Sequence, residues 1–127
     1  MGVLAELGLD AVDGRVLLID PPPYASAEAS TLTPRPGVAS SIQVARPAAL
    51  IAWWPTRDQL NAANMSRLAW LASSAAGSAW VVVDPDDPDS VSLDDVRDAI
   101  AGGGLTAGDE RALSTGEMAL RLISGPA

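Results

Sequence analysis

The apolar positions of this chain fall in short blocks, and the spacing inside each block assigns its element. Val16-Leu17-Leu18-Ile19 is an unbroken apolar run closed by Asp20. That is the pattern of a strand buried on both faces inside a parallel sheet. The runs from Ala48 to Trp54 and from Ala79 to Val83 repeat it, the second again closed by an acid, Asp84. The segment from Val38 to Val44 reads as a less regular strand, with Ile42 and Val44 alternating against Ser41 and Gln43. Only Arg46-Pro47 clearly separates it from the next run. Parallel neighbours need a longer crossover, so either these two pair antiparallel or the first is partly a loop.

Helical spacing fills the intervals. Val3, Leu4 and Leu7 predict a short N-terminal helix ending near Gly8, and Asp13-Gly14 marks the turn into the first strand. Pro23 suits the first turn of a short helix running to Ser30, after which Pro34-Arg35-Pro36-Gly37 forces a loop. Thr56 and Gln59 form a capping box ahead of a helix to about Ala75, with Leu60, Leu68, Leu71 and Ala75 on one stripe and Gly77 as its stop. Ser92 and Asp95 make a second box, with Val91 stapled onto Val96 and Leu93, Val96, Ala99 and Ile100 facing inward, before Gly102-Gly103-Gly104 ends the helix. The tail reads as a hairpin: Leu105 to Leu113, a turn at Ser114-Thr115-Gly116, and a run from Glu117 to Ile123 in which Met118, Leu120 and Leu122 share one face. Strands alternating with helices predict an α/β fold in a single domain over residues 1–127, with a Pro/Ser/Thr-rich loop over 21–37.

Composition narrows the chemistry. The chain has no Cys, no His and no Lys; its eight cations are all Arg, and the net charge is −8. Thiolate nucleophiles, disulfides, soft metal sites, Schiff-base lysines and the usual neutral-pH general base are therefore all unavailable. The arginines are scattered singly, which predicts no nucleic-acid binding. The longest apolar runs are too short to cross a bilayer, and residues 1–10 carry an early acid with no positive n-region, so a cytoplasmic protein without membrane attachment is expected.

Several pieces taken together resemble a known family. They are the Leu-Gly-Leu helix followed by Gly14-Arg15-Val16-Leu17-Leu18-Ile19; Arg46-Pro47 leading to Ala49-Leu50-Ile51-Ala52-Trp53-Trp54; Trp80-Val81-Val82-Val83-Asp84-Pro85; and the helix around 95–100 followed by a glycine-Leu105 strand. In these the chain resembles short bacterial proteins, common in actinobacteria, that are defined as a domain of unknown function and are similar to a truncated S-adenosylmethionine (SAM)-dependent methyltransferase. The resemblance implies a small Rossmann-like, class I methyltransferase-like sheet flanked by helices, with an antiparallel C-terminal hairpin. It implies no established activity. Active methyltransferases carry acid-x-Gly-x-Gly-x-Gly after the first strand, and here Asp20-Pro21-Pro22-Pro23-Tyr24 stands in its place. Glycine lets a ligand approach the backbone and supplies N–H donors; proline has no N–H and a fixed φ. No cofactor is predicted, SAM being the one the resemblance would supply.

In open α/β sheets ligands sit beyond the carboxyl ends of the strands. That position nominates Asp20, Tyr24, Trp54 and Asp84 as a ligand- or partner-binding set, with no catalytic and no metal-ligating residue. Each has a plainer reading. The Asp20–Tyr24 stretch resembles the Asp-Pro-Pro-Tyr signature of amino-methyltransferases with one extra Pro, and it fits the Pro-Pro-x-Tyr ligand of WW modules; the favoured reading is a stiff loop that ends a strand. Trp53 and Trp54 should face opposite sides of the sheet, and Trp70 and Trp80 are expected in the core. Asp84-Pro85-Asp86-Asp87-Pro88-Asp89 lacks the glycine and the glutamate of a calcium loop and reads as a solvated connection. The expected function is a non-catalytic methyltransferase-like domain, monomer or homodimer, acting on a protein partner or a small ligand. The alternative is a SAM- or nucleotide-binding enzyme using the crevice beyond residues 16–20 and 48–54.

Overall fold

Val16–Ile19 forms β1, and its four apolar residues alternate between two buried faces: Leu17 and Ile19 pack to one side, Val16 and Leu18 to the other. A computed structural model describes residue 7 and residues 16–31, 37–46, 48, 50–74, 79–87, 91–101 and 105–124. Beyond β1 these hold α1 (Pro23–Ala29), β2 (Gly37–Ala39), β3 (Leu50–Trp53), α2 (Ala62–Ser74), β4 (Ala79–Val83), α3 (Leu93–Ala101), β5 (Leu105–Ala112) and β6 (Met118–Ser124). The six strands make one sheet in the order β2-β1-β3-β4-β6-β5. β1 pairs in parallel with both β2 and β3, and β3 in parallel with β4. β6 runs antiparallel between β4 and β5. This is the expected mixed α/β sheet with an antiparallel C-terminal hairpin.

The alternation seen in β1 continues across the sheet and splits the core in two. Ile51, Trp53, Val81, Leu120 and Leu122 join Ile19 beneath α2 and α3, whose Leu68, Leu71, Val96 and Ile100 cover them. On the other face Ala52, Trp54, Trp80, Val82 and Ala119 join Leu18 beneath Ala25 and Ala29 of α1 and Leu7. Trp53 and Trp54 thus do face opposite sides. Small residues on α1 let it lie close to the sheet, so the large rings of Trp54 and Trp80 fill that side.

Helix starts follow their local chemistry, with one exception. Pro22 and Pro23 open α1, where a missing N–H costs nothing. Ahead of α3 the Ser92 Oγ accepts from the Asp95 N–H at 3.1 Å and Asp95 Oδ2 accepts from the Ser92 N–H at 3.2 Å, while Val91 and Val96 are both buried. The expected box at Thr56 exists, with Gln59 Oε1 accepting from the Thr56 N–H at 2.8 Å, but it opens only a 3-10 turn, Arg57–Gln59. The chain leaves that turn at Leu60, and α2 starts afresh from Asn61, whose Oδ1 accepts from the Asn64 N–H at 2.9 Å.

Of the two readings left open for the segment from Val38 to Val44, the structure bears out the one in which it is only partly strand. Only Gly37–Ala39 is strand; Ile42–Val44 is a 3-10 turn that buries Ile42 and leaves Val44 exposed. It does not pair with β3, because β1 lies between them. The alternation at Ile42 and Val44 reflects one anchored side chain in a turn. The short helix expected from Pro23 is α1, and the Pro/Ser/Thr-rich stretch over 21–37 ends where β2 begins. The N-terminal helix apart from the buried Leu7, the Asp13-Gly14 turn, and the stops at Gly77 and at 102–104 lie outside the described residues.

Candidate functional site

The carboxyl ends of β1, β2 and β3 meet at a topological switch: the chain goes from β1 outward to β2, then returns past β1 to β3. Two backbone bonds tie this rim together. The Asp20 N–H donates to Ala39 O at 2.8 Å, and the Trp54 N–H donates to Ile19 O at 3.2 Å. Asp20 is the one described non-glycine residue with a left-handed φ, +52°. Asp tolerates this region better than most residues, and the twist turns the chain out of β1 so that α1 begins three residues later.

Ordinarily such a rim offers N–H groups to a ligand's phosphate or carboxylate. Here positions 21, 22 and 23 are all proline, and α1 is only seven residues long. The far end of β2, where an acid would hold ribose hydroxyls, carries Ala39-Ser40. The donor and acceptor set of a nucleotide-type cofactor is therefore missing from both of its usual places, and the residues present do not fit SAM held in that manner.

Tyr24 points elsewhere. Its hydroxyl donates to Glu117 Oε1, in the hairpin ahead of β6, and Thr115 Oγ1 donates to the same oxygen at 2.8 Å. Glu117 is 7% exposed, and burial raises its carboxyl above the ordinary value. The hairpin holds Glu117 firmly: Leu113 N–H donates to Glu117 O at 2.8 Å, and Gly116, at φ +93°, closes the three-residue turn. Since Val83 pairs with Met118, Asp84 and Glu117 leave the sheet side by side. Asp84 Oδ1 caps the following turn by accepting from the Asp86 N–H at 3.0 Å.

The four sequence-nominated residues therefore separate. Asp20 shapes the β1 exit, and Tyr24 straps α1 to the hairpin. Asp84 sits next to Glu117 and organises its own loop. Trp54 is 9% exposed, its ring packed beneath α1 and its indole N–H buried without a partner, as is that of Trp53. Glu117 escaped sequence reasoning. Its only signal was parity, a carboxylate on the same side of the last strand as buried Ala119. Trp70 corrects another expectation: it lies on the outer side of α2 and is 48% exposed. Among the described residues no group of three or more acids is arranged to hold a metal, and no helix is long and apolar enough to cross a membrane.

No protein-family model matches the sequence, and no curated protein does. Solved structures do match. Magnesium protoporphyrin IX methyltransferase (ChlM) from Synechocystis PCC 6803 with bound SAM aligns with a TM-score of 0.57 at 12% identity, over 97% of this chain and 76% of that one. The same enzyme with bound SAH gives 0.54 at 11%, over 96% and 78%. The pyocyanin biosynthetic protein PhzM aligns at 0.47 and 14% identity, over 87% of this chain and 43% of its own. At these identities the likeness establishes the fold, and the fold of this chain is methyltransferase-like.

Proposed function

We propose that this chain is a non-catalytic, methyltransferase-like domain that works through contacts with protein and does not bind SAM at the rim of β1. The observation that carries this reading is the connection after β1. Three successive prolines remove every N–H from the segment that would cradle a cofactor, and α1 follows without a glycine loop. The Tyr24–Glu117 bond supports it further, since it straps the start of α1 across to the hairpin. The absence of His, Cys and Lys leaves only carboxylates, hydroxyls and one phenol to assist group transfer. The kinship with short actinobacterial proteins, and a cytoplasmic location, belong to the same reading.

The competing reading is a SAM-binding enzyme whose crevice lies beyond β1 and β3, lined by Asp20, Tyr24, Trp54 and Asp84. It is favoured by the SAM and SAH bound to the ChlM structures. Equilibrium dialysis with SAM and with SAH separates the two. The proposal expects no saturable binding, and a Kd tighter than about 100 μM would overturn it. In that event Asp20→Asn and Trp54→Ala should each weaken binding if those side chains line the site.

A further inference from the structure

Charge is unevenly distributed along this acidic chain. Residues 29–83 hold four Arg and a single acid, Asp58, whereas residues 84–127 hold ten acids and three Arg. The first stretch supplies β2, β3 and α2; the second supplies α3, β5 and β6. Because β2 and β5 are the two edges of the sheet, the fold gathers most of the later acids toward the β5 end and sets Arg46, Arg57 and Arg67 toward the other, here the basic end, where Asp20, Glu28 and Asp58 also lie. At the acidic end Arg97 is already engaged by Asp94 and Glu110, while Asp98 and Asp109 remain exposed. At the basic end, no carboxylate among the described residues pairs with Arg46, Arg57 or Arg67.

The basic end also carries an anchor. Arg67 reaches from α2 to the 3-10 turn at Ile42–Val44, donating from Nε to Ile42 O at 3.3 Å and from Nη2 to Ala45 O at 2.7 Å. Its guanidinium lies 4.7 Å from the centre of the Trp70 ring, one helical turn along. Trp70 and Val44 are both exposed, at 48% and 60%. A Trp and an Arg whose positions are already fixed lose little entropy on contact, and these two residue types dominate the energetics of protein interfaces.

We propose that this surface, built from Arg46, Arg67, Trp70 and Val44, docks the acidic α3–β5 end of a second copy of the chain. The complement it needs, exposed carboxylates on a firm helix and strand, stands at the opposite end of the same sheet. Such an interface joins unlike surfaces, so each assembly keeps one free basic and one free acidic end and growth continues head to tail. The overall charge of −8 opposes approach, but beyond about 8 Å it is screened at physiological salt, while the local complementary contacts are not. The inference rests on the protein-contact reading above, and its test does not involve SAM, so the two fail separately.

Sedimentation velocity over a wide concentration range at physiological salt is expected to show a sedimentation coefficient that rises with concentration. Trp70→Ala combined with Arg46→Ala disables the basic end; Asp98→Asn combined with Asp109→Asn disables the acidic end. These four positions are exposed, and an unchanged circular dichroism spectrum and melting point verify folding. At concentrations where the parent associates, each double variant alone is expected to stay monomeric, its association weakened on the order of a hundredfold or more. An equimolar mixture of the two should form a 1:1 dimer and nothing larger, since one intact end of each kind remains. A coefficient independent of concentration for the parent protein overturns the proposal and leaves the surface to an acidic partner. So does continued growth of either variant alone, or a mixture that remains monomeric.

Discussion

Removing the Tyr24 hydroxyl tests whether the strap between α1 and the hairpin is energetically real. Hydrogen bonds to charged groups contribute about 1.5–3 kcal/mol. Tyr24 is 38% exposed, and Thr115 continues to donate to the same Glu117 oxygen after the change. Tyr24→Phe should therefore cost about 1–2 kcal/mol, or roughly 4–8 °C in Tm for a domain of this size. The pH dependence isolates Glu117. Burial raises its carboxyl above 4.5 in the folded protein. As pH rises from there, the unfolded chain releases this proton first while the native state retains it. The stability associated with the protonated group is thus complete below 4.5 and is lost as pH climbs through the raised folded value. Glu117→Gln abolishes that titration, yet its amide oxygen still accepts from Tyr24 and Thr115. Its stability should vary less with pH than that of the parent. Urea unfolding of the parent, both single variants and the double variant, at several pH values, gives the coupling directly. The bond is charge-assisted only when Glu117 is ionised, so the coupling should grow with pH. Parallel stability–pH curves for parent and Glu117→Gln, with a coupling below about 0.3 kcal/mol, would refute this account.

Two further substitutions probe the elements that frame the rim. At Asp20 the left-handed φ should make Asp20→Ala destabilising by about 1 kcal/mol and Asp20→Gly nearly neutral, read by thermal unfolding; equal effects of the two would show that backbone strain is not what matters there. Asn61→Ala should cost about 1 kcal/mol by removing the cap of α2, whereas Thr56→Ala, which opens only the preceding 3-10 turn, should cost less; the reverse order in urea unfolding would return the helix start to Thr56.

The fold proved more legible than the site. Unbroken apolar runs located β1, β3 and β4, because a strand buried on both faces leaves no polar position to blur the pattern. Period-two alternation located β6 and its hairpin, and the capping chemistry of Ser92 located α3, since all of these are decided within a few residues. Composition alone removed whole classes of catalysis. Where local signals were shared between alternatives, the sequence could not choose. Ile42 and Val44 alternate equally well in a strand or in a turn with one anchored side chain, and only the fold, which places β1 between this segment and β3, excluded their pairing. Trp70 carries the same apolar signature as Trp80, yet one lies on the outer side of α2 and the other on the sheet, a distinction made by packing of the whole helix. The partner of Tyr24 is 93 residues away at Glu117, a contact no local pattern encodes. Charge asymmetry was present in the order of residues, but it became two opposed surfaces only once the strand order sent β2 and β5 to opposite edges. Sequence determined which segments form strands and helices and which of their residues bury, through local periodicity; tertiary structure decided which strands pair and which distant side chains meet, because that depends on strand order, which no single segment contains.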